Sequence, residues 1–306
     1  MIKFSGSMLI FISLSWFGPS LPVFCDIEDD VISTNKWVAG RFDWLAEKLD
    51  LWLADDSFTD KPNRTSVRVI NRVIWQEDTQ DISFEPRFAV KLDLPHTQKK
   101  WQLAFTSFDD NRADEGIQRS RPRLEPEEEA FGTFLTIVQD IGKVKTEFEP
   151  RFQFSDEFES RYRFKLSSKA SVENLEIKPE LELFATTRDG TGQFFALNLE
   201  YQATPTTLLT WLNEQQYTDG NNTLEVNEGL QIDVAHTERV LMRYQWLTQA
   251  DNRPRFAATR HTLSAGASYA LLKNVLHLHL TPIVYWERQR SFHRLFAVDA
   301  AIEFIF

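Results

Sequence analysis

A chain of 306 residues has room for two soluble domains or one large barrel. Its formal charge of −11 argues against a nucleic-acid partner, which usually demands a basic footprint, and its single cysteine excludes an internal disulfide. After residue 25 no apolar run approaches the roughly 18 residues of a membrane helix, so any bilayer crossing falls to strands, whose polar alternate positions account for a mean hydropathy of −0.36.

Residues 1–25 read as a secretory signal: Lys3 gives a basic start, Met8 to Phe17 an apolar core, and Gly18-Pro19 a break. Cleavage fits after Cys25 or near Ser20. Phe24 is bulky where a lipoprotein signal wants a small residue, which argues against a lipid on Cys25. Residues 26–64 form a periplasmic segment, opening on the acidic run Asp26 to Asp30. Within it, residues 35–53 take a helical period, with Val38, Phe42, Leu45, Leu49 and Trp52 in one stripe and Asp43, Glu47 and Asp50 facing away. Trp37, Trp44 and Trp52 suit a boundary between apolar and wet surroundings. Such a helix could lie on the inner leaflet, plug a barrel, meet a partner, or close the lower rim from the periplasm. Residues 54–64 are a polar linker.

From Thr65 the pattern becomes strand, connector, strand. Strands are predicted near 65–76, 82–94, 99–108, 130–139, 143–154, 157–168, 174–187, 193–204, 206–217, 223–236, 238–249, 258–270, 274–287 and 292–306. Fourteen is even, which puts both ends of the sheet in the periplasm; twelve is the alternative if weak strands such as 130–139 or 206–217 belong elsewhere. Expected inner turns are short (Pro95 to Gln98, Ile141-Gly142, Thr204-Pro205, Leu272 to Asn274), and the longest outer loop is Asp109 to Glu129. That loop could fold inward as a constriction, but its charge density favours solvent. Pro86, Pro150, Pro179 and Pro282 all fall on the apolar face, and each is expected to mark a bulge. Phe84 to Phe88 and Phe148 to Phe152 share the sequence FEPRF, to which no chemistry attaches.

The last stretch shows the alternation most clearly. Phe292, Arg294, Phe296, Val298, Ala300, Ile302, Phe304 and Phe306 form one set; the other carries Asp299 and Glu303. About 9–11 tilted residues cross a bilayer, and the lipid face should end in an aromatic girdle. Phe296, Ile302, Phe304 and Phe306 are therefore expected to face lipid. The ending Ile302-Glu303-Phe304-Ile305-Phe306 resembles the C-terminal assembly signal of Gram-negative outer-membrane β-barrels. The tryptophan-rich helix followed by charged strands and a Leu94-Pro95-His96 turn resembles an uncharacterised group of proteobacterial outer-membrane proteins. These resemblances imply an all-β fold, a transmembrane antiparallel barrel over residues 65–306, in the outer membrane after signal-peptide export. They also imply contact with outer-membrane lipids and lipopolysaccharide, and delivery by periplasmic chaperones to the barrel assembly machinery. A soluble β-sandwich is the outside alternative for the fold.

If the apolar set faces lipid, the opposite set lines the lumen: Arg87 and Lys91; Glu147, Glu149 and Arg151; Arg161 and Arg163; Glu180 and Glu182; His277; Asp299 and Glu303. A turn at Ser155 to Glu157 sets Glu149 opposite Arg163 and Glu147 opposite Lys165, and the next hairpin brings Arg161 and Arg163 toward Glu180 and Glu182. Opposite charges across a ladder stabilise by roughly 0.2–1 kcal/mol a pair, whereas Arg or Lys at the lipid midplane costs about 2–4 kcal/mol. The lumen assignment wins. Its function reads as passage of small polar or ionic solutes, or as a salt-bridge lattice closing a structural or assembly-accessory barrel. A third reading, an outer-membrane hydrolase, rests on His277 falling opposite Glu303 and near Ser268, and a one-residue slip breaks that set. No catalytic residue is assigned and no cofactor is implied; His277 and His279 lack a convincing third metal ligand.

Overall fold

The computed structural model describes residues 36, 66–94, 100–108, 116–124, 129–154, 158–272 and 275–306. The signal segment, the 35–53 stripe apart from Lys36 (exposed, in helical conformation) and the linker lie outside the described residues. Fourteen antiparallel strands follow in order: β1 (Ser66–Gln76), β2 (Ile82–Leu94), β3 (Lys100–Phe108), β4 (Glu129–Ile141), β5 (Val144–Phe154), β6 (Phe158–Ser168), β7 (Leu175–Thr186), β8 (Gly190–Thr204), β9 (Thr207–Thr218), β10 (Thr223–Ala235), β11 (Val240–Asp251), β12 (Ala257–Leu272), β13 (Leu276–Glu287) and β14 (Arg294–Ile305). A short continuation of β6, Ala170–Val172, resumes pairing with β7 in the same register after Lys169. Each strand pairs with its sequence neighbour, and β1 pairs with β14, which closes the sheet into a barrel with no free edge. A two-sheet sandwich is excluded. Observed limits depart from the sequence pattern by a few residues, as at Gly190 and Leu272, where ladders outlast the hydrophobic alternation.

Side-chain parity is carried intact around the ring. Ala301 lies opposite Arg72, Arg72 opposite Glu85, and Lys91 opposite Ala104; Ala104 faces Phe134, Phe134 faces Arg151, Glu149 faces Arg163, and Lys165 faces Glu182. Directly paired residues share a face, so these belong to one surface of the cylinder. The opposite surface carries Phe84, Phe148, Phe164, Phe195, Trp211, Trp246, Leu263 and Ile302, all exposed. An exposed apolar and aromatic belt of this extent is what lipid contact requires.

The prolines do not sit at bulges. Register shifts occur at Thr106/Phe108, Thr207/Leu208, Gln249/Ala250 and Ala270/Leu272. Opposite Pro150 and Pro282 the ladders to β4 and β12 skip a two-residue step and resume in unchanged register, and the β6 ladder breaks opposite Pro179 in the same way. Pro86 runs in register with Asn71 on one side, while the ladder to β3 begins only at Ala89. A missing N–H removes a hydrogen bond; it need not insert a residue. Gly229 answers a different constraint, since a Cβ there would lie 2.3 Å from the Trp246 carbonyl oxygen, so a side chain would force β10 and β11 apart.

Candidate functional site

The described part of the connector between β3 and β4, residues 116–124, turns inward and touches seven strands, which corrects the expectation of solvent for that stretch. Ile117 is buried with Phe194 and Ala196 of β8. Arg119 donates to Glu180 and Glu182 of β7, both at 2.9 Å. Ser120 donates to Glu214 of β9 at 2.6 Å, and its carbonyl accepts from Gln245 of β11 at 2.8 Å. Arg121 donates to Asn227 and Glu225 of β10, both at 3.1 Å. Leu124 packs with Ile283 and Tyr285 of β13 and Ala297 of β14. Only from inside a cylinder can one short segment reach so many walls, so the face that carries these partners is the lumen. The segment is a strap across the lumen, in the half of the barrel that carries the β3–β4 connector.

Asn227 is the hub of the attachment. Fully buried, it donates to the Ile117 carbonyl at 2.7 Å and to Ser120 Oγ at 2.8 Å while accepting from Arg121. Gly116 has φ +49, and a Cβ there would meet Gln216 Oε1 at 2.3 Å; that same oxygen accepts from the Ile117 N–H at 3.3 Å. The loop's charges, read in isolation as a sign of solvent, are matched to acids on the wall.

Every residue assigned to the lumen from sequence lies on this inward face. Glu149 accepts from Arg151 at 2.8 Å, Arg163 at 3.0 Å and Thr136 at 2.8 Å. Glu182 lies 3.5 Å from Arg163 and 3.6 Å from Lys165, and Lys165 pairs with Glu180 at 2.8 Å. Glu149 stands opposite Arg163 and Glu147 opposite Lys165, as the turn at Ser155 to Glu157 predicts; Glu147 itself pairs with Lys145 along its own strand. Arg161 lies over the Phe184 ring at 5.2 Å and Arg151 over Phe134 at 4.5 Å. Arg87 pairs with Glu85 at 2.7 Å, and exposed Lys91 shares their face. Asp299 pairs with Arg72 at 3.2 Å and Glu303 with Arg68 at 3.0 Å. Of the outward set, Phe296, Ile302 and Phe304 alternate with these acids, and Phe306 pairs across the seam with Val67 through hydrogen bonds of 2.8 and 3.0 Å. Sequence reasoning missed Glu214, Glu225, Asn227 and Gln245. Their alternate positions mix polar with apolar residues (Leu212 lies beside Glu214), so no pattern marked them.

The Ser–His–carboxylate set forms on a different histidine. His277 lies opposite Glu303 in register, but the ring bridging the two partners is His279: Ser268 Oγ to Nδ1 is 2.9 Å, and Nε2 to Glu303 Oε2 is 3.1 Å. Ser268 faces His279 directly, and the longer diagonal reach to Glu303 suits the same ring. His277 stacks beside it at 6.3 Å. An acyl transfer also needs two donors for the oxyanion, yet the backbone around Ser268 is committed to ladders with β11 and β13. Ser268, His279 and Glu303 form a hydrogen-bonded chain whose carboxylate also pairs with Arg68. On the outer face, His261 meets Thr248 at 3.0 Å and the Phe292 ring at 5.7 Å. Among the described residues, no group of three or more His, Cys, Asp or Glu is placed to hold a metal ion.

No protein-family profile and no curated protein matches the chain. Similar solved structures are outer-membrane proteins. OmpT of Vibrio cholerae, as a loop L8 deletion mutant, shares 10% identity at a TM-score of 0.47, over 80% of this chain and 99% of that one. The outer-membrane channel DcaP of Acinetobacter baumannii shares 9% at a TM-score of 0.48, over 82% and 99%. The KdgM porin shares 9% at a TM-score of 0.36, over 78% and 98%.

Proposed function

We propose that this barrel resides in the outer membrane of a Gram-negative bacterium and passes small polar or ionic solutes through a charged lumen narrowed by the strap. One observation carries the reading. The Arg119 side chain holds Glu180 and Glu182 yet stays 38% exposed, so the strap constricts the lumen without filling it. Below it, Arg68 and Arg243 reach into the periplasmic half with more than half of their side-chain surface accessible, which supports a wet vestibule. Lumen cations and carboxylates interleave on the same strands, so any ionic preference should be weak. The outward belt suits contact with lipids and lipopolysaccharide, and the signal-like pattern of residues 1–25 and the alternation of Ile302 to Phe306 support export and delivery by periplasmic chaperones to the barrel assembly machinery. The strap's seven-strand anchorage favours the competing closed, structural barrel. Purified protein in planar bilayers separates the two: stepwise conductance supports passage, and its absence, even after removal of residues 26–60, ends that reading.

A further inference from the structure

Among the described residues, the outer wall has one place where apolar side chains do not behave as lipid-facing ones. Val67, Val90 and Leu92 belong to the outward set, yet only 2%, 4% and 0% of their surface is accessible. On the same face of β2, Phe84 and Phe88 remain 63% and 40% exposed. Leu103, Phe105 and Phe306 pack around the three, giving one contiguous patch across β14, β1, β2 and β3 at the periplasmic end. Lateral neighbours alone cannot produce this, because outward residues flanked on both sides elsewhere, such as Trp211 and Leu263, keep about half their surface. The patch has the accessibility of a covered surface.

We infer that the occupant is the chain's own amphipathic segment, residues 35–53, docked by its Val38, Phe42, Leu45, Leu49 and Trp52 stripe against the outer wall beside the β1–β14 seam. The connection fits. The patch begins at Val67, and the 54–64 linker with Thr65, at most about 40 Å when extended, leads directly into Ser66. The chemistry fits as well: a purely apolar patch meets a purely apolar stripe, while Asp43, Glu47 and Asp50 turn away toward the headgroup layer. The docked segment covers the one joint of the barrel that links distant parts of the chain. It lies outside the cylinder and leaves the lumen free, so this inference stands apart from solute passage.

The test uses the full chain with Cys25→Ser, which removes the only native thiol. Leu92→Cys and Phe84→Cys are each labelled in membranes with a lipid-soluble maleimide. Leu92→Cys should react at least tenfold more slowly, and deletion of residues 35–53 should bring the two rates together. Adding Leu45→Cys or Leu49→Cys should give an oxidant-induced intramolecular crosslink to position 92 and none to position 84. Equal labelling of 92 and 84 in the full chain overturns the inference and gives the patch to lipid. Protection that survives the deletion, or crosslinks formed only between two copies, overturns it in favour of another occupant.

Discussion

Replacing Asn227 with Ala should detach the strap while leaving the wall intact. Asn227 lies on β10 and is fully buried, with its amide serving Ile117, Ser120 and Arg121 at once. Its loss strands the Ile117 carbonyl; Arg121 keeps Glu225 and Ser120 keeps Glu214. Unsatisfied buried groups cost about 1–3 kcal/mol each, and one full orphan with two weakened partners gives about 3 kcal/mol, or about a hundredfold more detached strap. Trypsin added from outside reads that population directly, because the peptide bonds after Arg119 and Arg123 are cleavable and the one between Arg121 and Pro122 is not. Cleavage tracks the open fraction when opening and closing are fast. We expect cleavage of N227A to be about a hundredfold faster, with conductance and current noise raised in parallel. Equal cleavage rates in two equally heat-modifiable barrels would refute the anchoring argument.

Other expectations follow from the wall. Ala300→Arg, outward at mid-strand, should destabilise the barrel in lipid by about 2–4 kcal/mol, and Ile302→Arg, nearer the periplasmic interface, by less, as measured by denaturant unfolding from vesicles. Gly229→Ala should cost about 1–3 kcal/mol through the clash with the Trp246 carbonyl, lowering the temperature at which the heat-modifiable form is lost. Removing Phe306 deletes the hydrogen-bonded pair with Val67 and should reduce the folded fraction recovered on assembly into outer membranes. Ester hydrolysis by the purified protein should be the same for the wild type and for His279→Ala, since the backbone around Ser268 is engaged in ladders on both sides.

Period-two alternation made the wall legible. Each strand buries one kind of side chain on one face, so parity could be read locally and strand limits followed within a few residues. The pairs Glu149–Arg163 and Glu147–Lys165 were legible for the same reason, since a short turn fixes a hairpin's register. The strap was not. Its attraction to the wall depends on acids 61 to 104 residues further along, whose positions mean nothing until the ring is closed. The histidine was half legible: register placed His277 opposite Glu303, but side-chain reach runs diagonally, and the ring two residues on makes the bonds. The prolines misled because a missing donor was equated with an inserted residue.

The ring's connectivity has a consequence for how it forms. Every seam but one joins hairpin neighbours, so most of the wall can zip together from local contacts with little chain entropy at stake. The remaining seam brings together residues more than 200 positions apart, and its loop-closure cost falls in a single late event. Until then β1 and β14 each present an open row of amides and carbonyls to the surroundings. A slow step in folding should respond to changes at that joint and ignore equal changes halfway round the circumference.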